Sequence, residues 1–179
     1  MGILGKRPPR RLVYVQISPE RILLRRVATG EAVDDVPQIA IGASGEAVAF
    51  GRAAADAHHW RADLRVVNGF DHPRCLIGDM EVATRTLRWA LDQLLYPRGR
   101  RRFRRLKPDV VIHPIGVRDL SGLEAWGLQR IADLAGAATV RVWLGEEPPY
   151  ETLIGGTPTG AGSFRALGPP LKGRKKPKA

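Results

Sequence analysis

The sequence has a single cysteine, Cys75, and this scarcity excludes an internal disulfide. A chain without disulfides fits a reducing compartment such as the cytoplasm. There is also no run of about 18 apolar residues, which argues against a membrane-spanning helix. The first residues are basic but lack the long apolar stretch of a secretory signal, so we expect none. An apolar content of 44% in 179 residues is sufficient for a globular core.

Acidic residues are missing from three segments, and these segments carry the net charge of +11. Residues 1–11, 98–107 and 171–179 contain four, seven and five basic residues, respectively. The rest of the chain has 13 basic and 18 acidic residues and is therefore mildly acidic. This distribution favours an anionic partner: nucleic acid, an acidic lipid surface or an acidic protein face. The candidate contact residues are Arg98, Arg100, Arg101, Arg102, Arg104, Arg105, Lys107, Lys172, Arg174, Lys175, Lys176 and Lys178.

Alternating apolar residues at the start of the chain predict a β-hairpin with its turn at Ser18-Pro19-Glu20. In its first strand Leu12, Tyr14 and Gln16 share one face, because successive side chains of a strand point to opposite faces. The pattern of apolar runs predicts strands at 12–17, 21–27, 36–42, 46–51, 109–114 and 139–144, with another strand and a loop within 61–73.

Two helices follow from apolar periodicity and capping residues. The helix over 79–96 has Asp79 as its predicted N-cap, and its apolar stripe consists of Ala83, Leu87, Ala90, Leu91 and Leu94. A second helix over 121–136 ends at Gly136. A short helix is also expected at 52–60. Trp89, Trp126 and Trp143 are expected to pack in the core or at sheet edges rather than to stack on nucleic-acid bases.

This order of elements predicts an α/β fold with a mixed five-stranded sheet and flanking helices, of the ribonuclease-H-like or actin-like type. We expect a single domain over residues 12–156. A basic N-terminal arm, residues 1–11, precedes it, and a flexible basic tail, residues 157–179, follows it.

Four stretches in the right order resemble the N-terminal half of the bacterial actin MreB. "DDVPQIAIG" resembles a strand of that family, and "RCLIGDMEVATRTLRWAL" resembles its next helix. "VVIHPIG" resembles a valine-rich strand that ends in Pro-x-Gly. "ADLAGAATVRVWLGEEPPYETLIG" resembles a stretch with Ala-Gly-Ala, a strand and Glu-Glu-Pro. The resemblance covers roughly residues 12–156 and implies an actin-like fold.

The resemblance also implies where a nucleotide would bind. The first hairpin of the family carries Asp-Leu-Gly-Thr, and the aligned residues here are Gln16, Ser18 and Pro19 in place of Asp, Gly and Thr. A neutral amide lacks the charge of the carboxylate, and a proline has no amide donor. The family's second nucleotide-binding half would follow the matched residues. We therefore expect no nucleotide cofactor and no ATPase activity from this chain, which makes it a pseudo-ATPase.

Glu124 is the one candidate catalytic residue, and a weak one. Under the resemblance it falls where the family has a glutamate that orients the attacking water, if three residues are inserted before it. The alternative is structural, because Ser121-x-x-Glu124 is a capping box at the start of a helix. We expect no metal site. A nuclease-type site on Asp79 and Asp109 would also need a carboxylate on the first strand, and His58-His59 has no further ligands beside it.

Two functions remain open at this stage. The first is a non-catalytic, MreB-like binding or regulatory module in rod-shape determination, in contact with an MreB-like filament or other cell-shape proteins. It would be cytoplasmic, or held peripherally at the anionic inner membrane. The second is a nucleic-acid-binding module on a ribonuclease-H-like scaffold, which uses residues 98–107, including Phe103, and the tail. A remnant with no function of its own is a third interpretation.

Overall fold

The computed structural model describes residues 11–97, 107–155 and 162–165. These residues form nine strands and four helices. In chain order they are β1 (Leu12–Ile17), β2 (Ile22–Arg26), β3 (Ala32–Asp35), β4 (Gln38–Ile41), β5 (Ala47–Phe50), α1 (Arg52–Trp60), β6 (Arg65–Asn68), α2 (Met80–Leu95), β7 (Asp109–Pro114), α3 (Gly122–Ala135), β8 (Thr139–Gly145), α4 (Tyr150–Gly155) and β9 (Gly162–Arg165).

The main sheet is mixed, and its strand order is β3-β2-β1-β7-β8-β9. β1, β7 and β8 run parallel, whereas β2, β3 and β9 pair antiparallel with their neighbours. This arrangement confirms the predicted α/β class, a mixed sheet with flanking helices, although the main sheet has six strands rather than the predicted five. A second, three-stranded sheet has the order β5-β4-β6, with α1 packed against it.

The third strand of the main sheet differs from the sequence prediction. It is β3, which pairs with β2 after a turn in which Gly30 has a φ of +76°, a value that glycine tolerates best. The predicted strand at 36–42 exists as β4 but belongs to the second sheet. Pro37 lies between the two strands and has no amide to donate to a continuing ladder, so the chain leaves the main sheet there.

The two faces of the main sheet are covered by different elements. Residues of β1, β2, β7 and β8 that point to one face pack against α2 and α3 in the largest core cluster. On the other face Leu12, Tyr14, Val111 and Trp143 form a smaller cluster with Leu153 of α4. The predicted alternation along β1 is therefore confirmed. No helix of the described residues is long and apolar enough to cross a membrane.

The helix termini follow the local sequence. Asp79 accepts hydrogen bonds from the amides of Glu81 and Val82, and the predicted stripe of α2 is buried. Ser121 and Glu124 form the predicted capping box of α3, and Gly136 ends that helix in the left-handed conformation with a φ of +110°.

The sequence predicted a flexible tail from residue 157. Residues Gly162–Arg165 instead form strand β9, so the prediction is wrong for these four residues. β9 pairs antiparallel with β8 in the register Trp143↔Phe164. The two rings meet edge to face at 5.0 Å between centroids. The pairing depends on Gly162, because a Cβ there would lie 2.3 Å from the Trp143 ring.

Candidate functional site

The candidate site is the edge of the main sheet at which the parallel strands end. Open α/β sheets bind ligands at the carboxyl ends of their strands. In this protein β1 ends at Ile17, β7 at Pro114 and β8 at Gly145, and the register places the first two side by side. The hairpin turn that was aligned with the family's phosphate-binding motif follows β1 directly. The edge therefore combines the predicted site residues of β1 with residues of β7 and β8.

The turn from Ser18 to Arg21 uses its own backbone donors. The Ser18 hydroxyl oxygen accepts hydrogen bonds from the amides of Glu20 at 3.3 Å and Arg21 at 3.1 Å. The Ser18 amide donates to the Arg21 carbonyl at 2.9 Å. Pro19 has no amide hydrogen. The amides of Ser18, Glu20 and Arg21 therefore all donate within the turn, and Pro19 contributes no donor.

The turn is also tied to the second sheet. The side-chain amide of Asn68, the last residue of β6, donates to the Pro19 carbonyl at 2.7 Å. The Asn68 side-chain oxygen accepts from the amide of Phe70 at 2.9 Å. Asn68 therefore fixes the position of the turn relative to β6.

Gln16 directs its side chain towards the protein interior. Its amide nitrogen donates to the Tyr14 hydroxyl at 3.1 Å. The side chain is half-buried, and it lies on the same face of β1 as Tyr14. Gln16 therefore supplies no negative charge to the turn, and the hydrogen bond that it donates is directed to Tyr14.

Tyr14 and His113 extend this contact into a buried polar chain. The Nε2 of His113 lies 2.9 Å from the carbonyl oxygen of Gly145, which can only accept, so Nε2 carries a proton. In the neutral ring Nδ1 is then the acceptor for the Tyr14 hydroxyl, at 2.5 Å. Gln16, Tyr14, His113 and Gly145 thus link β1, β7 and β8.

Burial shifts the protonation of both ring residues. It raises the pKa of the Tyr14 phenol to about 12, although the hydrogen bond from Gln16 acts in the opposite direction. It lowers the pKa of His113 below the ordinary 6.5, against the smaller raising effects of the Gly145 carbonyl and the Glu147 carboxylate. Both side chains are therefore neutral around pH 7 and act as hydrogen-bonding groups.

Arg25 and Glu147 lie on the solvent side of this series of hydrogen-bonded side chains. The Arg25 guanidinium lies over the Tyr14 ring, 5.4 Å from its centroid. It also donates to the Glu147 carboxylate at 2.9 Å. The two side chains are 40% and 54% exposed, so the ion pair is screened by water and contributes little to stability.

Glu124 is held by the capping box. One carboxylate oxygen accepts from the amide and the hydroxyl of Ser121, at 3.0 Å and 2.7 Å. The other oxygen accepts from the amide of Leu76 at 3.3 Å. The hydrogen bonds from Ser121 lower the pKa of Glu124 below its ordinary value. The structural interpretation of this residue is confirmed, and its catalytic role stays a prediction.

The remaining predicted residues separate into two groups. Lys107 is exposed, and the other basic contact residues, Arg98 to Arg105 and Lys172 to Lys178, lie outside the described residues. Asp79 caps α2, and Asp109 accepts a hydrogen bond from the Thr139 hydroxyl at 2.6 Å. Across the described ranges, no three His, Cys, Asp or Glu side chains come together as metal ligands.

One groove of about 570 Å³ opens at the end of β8. Gly145 lines it, together with Arg118 and Asp119 of the β7–α3 loop and Ser163 and Arg165 of β9. Neither Ser18 nor Pro19 contributes to its wall. The aligned hairpin turn therefore does not border this groove.

Sequence reasoning missed Tyr14 and His113 as members of the site. A weak signal was present, since Tyr14 and Gln16 share a strand face and His113 follows three apolar residues of a buried strand. Their contact joins residues 99 positions apart, and no local pattern specifies it.

No protein-family model matches the sequence, and the search of curated proteins found no match. The fold is similar to the crystal structure of MreB5 of Spiroplasma citri bound to ADP, with a TM-score of 0.56 and 21% identity over 73% of this chain and 37% of that chain. It is also similar to MreB5 of the same organism bound to AMPPNP, with a TM-score of 0.54 and 22% identity over 75% and 39% of the two chains.

This chain thus spans less than two-fifths of the length of the MreB5 chains that it matches. The matched share is consistent with the N-terminal half that the sequence resemblance implied. The chain therefore has the actin-like fold of MreB over the part that it matches.

Proposed function

We propose that this chain is a non-catalytic actin-fold protein that serves as a binding or regulatory module of the MreB cytoskeleton in bacterial cell-shape determination. The observation that carries the proposal is the turn from Ser18 to Arg21. Its backbone donors are used within the turn, at the position that the resemblance assigns to the phosphate grip.

The chemistry of the edge supports the absence of nucleotide binding. A triphosphate needs cationic or amide donors close to its oxygens, and its metal needs a carboxylate nearby. Pro19 offers no donor, and the Ser18 hydroxyl oxygen takes the amides of Glu20 and Arg21. Gln16 is neutral and donates to Tyr14. The solved MreB5 structures contain ADP and AMPPNP, so the fold itself is compatible with nucleotides.

The size of the effect follows from the number of lost contacts. A micromolar dissociation constant corresponds to about 8 kcal/mol of binding free energy. Charge-assisted hydrogen bonds contribute roughly 1.5–3 kcal/mol each. The loss of three such contacts would weaken a micromolar site to a millimolar one or beyond.

Isothermal titration calorimetry with Mg-ATP tests the first part of the proposal. We expect no binding at micromolar nucleotide, whereas MreB5 under the same conditions is the positive control. A matched variant with Gln16→Asp, Ser18→Gly and Pro19→Thr examines whether the turn is the cause, and its affinity should rise. A micromolar dissociation constant for the unmodified chain would overturn the proposal.

Filament co-sedimentation tests the second part. The protein should pellet with MreB filaments and stay in the supernatant when they are omitted. Because the proposed contact needs no nucleotide in this chain, the triple turn variant should pellet to the same extent. A protein that never pellets with filaments would remove the cytoskeletal part of the proposal and leave the nucleotide result untouched.

A further inference from the structure

A groove of about 560 Å³ opens beside β3, the strand at one edge of the main sheet. Ligand pockets in proteins usually measure about 300–1,000 Å³, so this groove is large enough to bind a short segment of chain. Two of its lining residues are acidic, and among the described residues that line it none is basic. We refer to it as the β3 groove, and its lining residues are Glu31, Ala32, Val33, Asp35, Trp89, Gln93, Leu94 and Pro97.

Trp89 forms an apolar wall of the β3 groove. Its ring is stacked on that of Phe50, with 5.4 Å between the centroids and 5° between the planes. Half-buried Trp89 and buried Trp143 pack as the sequence predicted, whereas Trp126 is 42% exposed on α3, so the prediction was wrong for Trp126. The stack fixes the position of the Trp89 side chain between α2 and the second sheet.

β3 also offers backbone hydrogen-bonding groups at the groove. The Arg26 amide donates to the Glu31 carbonyl, so the backbone groups of Glu31 face β2. Successive residues of a strand turn these groups to opposite sides, and those of Ala32 and Asp34 therefore face away from β2. The Asp34 carbonyl accepts from the Arg52 side chain at 3.4 Å. The part of the edge that remains open within the described residues is thus at Ala32, which is exposed.

The charge of β3 limits which segment can pair with this edge. A second copy of β3 would bring its own Asp34 and Asp35 close to the same residues, and like charges on paired strands are destabilising. A segment with apolar residues followed by basic ones fits both the apolar lining and the acids. Residues 2–7, GILGKR, have this order, with Ile3 and Leu4 as the apolar groups.

Glu31 can accept a basic residue of such a segment. Its carboxylate contacts Arg26 at 2.9 Å, but the Glu31 side chain is still 59% exposed. A carboxylate has two oxygens and about four acceptor positions, so one ion pair does not saturate it. Lys6 or Arg7 would find this carboxylate at the end of the groove nearest to the start of β1.

The start of β1 lies at the same end of the sheet as Glu31. The carbonyl of Leu12 accepts from the amide of Val27 at 3.0 Å, and Val27 begins the turn that leads to Glu31. A strand added beside β3 would lie three strand spacings, or about 14 Å, from β1. The eight residues from Leu4 to Leu12 span up to about 26 Å when extended. Ile3 and Leu4 can therefore reach the groove.

We infer that the β3 groove binds residues 2–5 of the same chain as a short strand antiparallel to β3. Adjacent residues of a strand point to opposite faces, so one of Ile3 and Leu4 enters the groove beside Trp89 in either register. The tether to β1 makes the contact intramolecular and raises the effective concentration of the segment. This inference is independent of the proposed function, because it does not involve the turn at Ser18.

A spin label tests the position of the segment in the full-length protein. In a Cys75→Ser background, a nitroxide is attached to Gly5→Cys, and the amide signals are followed by nuclear magnetic resonance. Those of Ala32 and Gln93 should be strongly broadened. The signal of Ser163 is the internal control, since β9 lies at the opposite edge of the main sheet, five strand spacings from β3. Unbroadened signals of Ala32 and Gln93 would overturn the inference.

Substitutions on both sides of the contact test its chemistry. Ile3→Asp with Leu4→Asp should abolish the broadening at Ala32, because carboxylates would meet an apolar and acidic lining. Ile3→Leu with Leu4→Ile is the matched control and should retain it. Ala32→Pro should weaken it, since this change removes an outward-facing amide that β2 does not use. Circular dichroism establishes that the variants fold. Unchanged broadening in the double aspartate variant would overturn the inference.

A mixing experiment distinguishes an intramolecular contact from one between two copies. Spin-labelled protein of natural isotope content is mixed with an equal amount of ¹⁵N-labelled protein that carries no spin label. The signals of Ala32 and Gln93 should then stay sharp, because each groove is filled by its own chain. Broadening of these signals in the mixture would assign the groove to the N-terminal segment of a second copy and overturn the intramolecular contact.

Discussion

His113 has both ring nitrogens in hydrogen bonds although its side chain is only 3% exposed. Its Nε2 donates to Gly145 and its Nδ1 accepts from Tyr14, and this pattern exists only for the neutral ring. A protonated ring would have two donors, and one of them would face a hydroxyl whose own proton then needs another acceptor. The carboxylate that could compensate the positive charge of a protonated His113 is that of Glu147, and it is already paired with Arg25 at the surface.

The lowered pKa of His113 predicts a loss of stability in mild acid. Above the ordinary pKa of 6.5 the ring is neutral in the folded and the unfolded state, and the full contribution of His113 to stability is present. As the pH falls below 6.5 the unfolded chain takes up a proton that the folded chain does not, so the free energy of unfolding decreases until the pH passes the folded pKa. The decrease is about 1.4 kcal/mol for each unit by which the folded pKa lies below 6.5.

Urea denaturation between pH 7.5 and 5 measures this effect. The carboxylates with lowered pKa values, Asp34, Asp63, Glu46 and Glu124, lose their contributions only below their ordinary values of 3.8 or 4.5, so they do not obscure this range. His113→Gln should be less stable at pH 7.5 but should lack the loss between pH 7.5 and 5. His59 is exposed, and the control variant His59→Gln should still lose stability between pH 7.5 and 5. An unchanged slope in His113→Gln would assign the pH dependence to another group.

At the scale of elements, the connection between β6 and α2 depends on close backbone contact. The carbonyl of Gly69 accepts from the amides of Gly78 and Asp79, at 2.9 Å and 3.2 Å, which closes the loop against the start of α2. A Cβ on Gly69 would lie 2.3 Å from the backbone nitrogen of Ala83, and a helix backbone cannot move aside as a flexible side chain can. This contact fixes α2 against the second sheet.

Gly69→Ala should therefore destabilise the protein by about 1–3 kcal/mol, the usual cost of overpacking. Gly122→Ala is the matched control, because a Cβ at that position has no atom within 4 Å and its φ is not positive. Gly122→Ala should be neutral or slightly stabilising, since alanine favours the helical conformation. Thermal unfolding followed by circular dichroism compares the two variants. Equal melting temperatures would mean that the loop can move away from α2.

At the scale of the whole molecule, charge is separated along the chain. Sixteen of the 29 basic residues lie in the three segments that lack acids, and the rest of the chain is net negative. Near an anionic lipid surface each basic residue is worth up to about 1 kcal/mol. The attraction fades beyond a Debye length of about 8 Å at physiological salt, so only residues close to the surface contribute.

We therefore expect binding to vesicles with anionic lipid and none to neutral vesicles, with a steep loss as salt increases. Co-sedimentation across a salt series measures it. Deletion of residues 171–179 together with neutralisation of the arginines and the lysine in 98–107 should abolish binding. Membrane attachment through these charges would be contradicted if that variant still pelleted with vesicles at high salt, or if the unmodified protein bound both vesicle types equally. Strong binding to DNA without vesicle binding would favour the nucleic-acid alternative.

The sequence by itself determined the features that depend on near neighbours in the chain. The Asp79 cap, the capping box of Ser121 and Glu124 and the glycine that ends α3 were all predictable, because their hydrogen bonds join residues within about four positions. The alternation along β1 and the apolar stripe of α2 were predictable for the same reason, since a strand or helix repeats its faces every few residues.

Only the tertiary structure decided the features that depend on distant residues. Packing between elements decides which sheet Gln38–Ile41 joins, the pairing of Gly162–Arg165 with β8 and the exposure of Trp126. The candidate site shows this most directly. Sequence identified Gln16, Ser18 and Pro19, but the chain from Gln16 through Tyr14 to His113 exists because β1 and β7 lie side by side. Contacts across such a separation arise from the fold, and no local pattern encodes them.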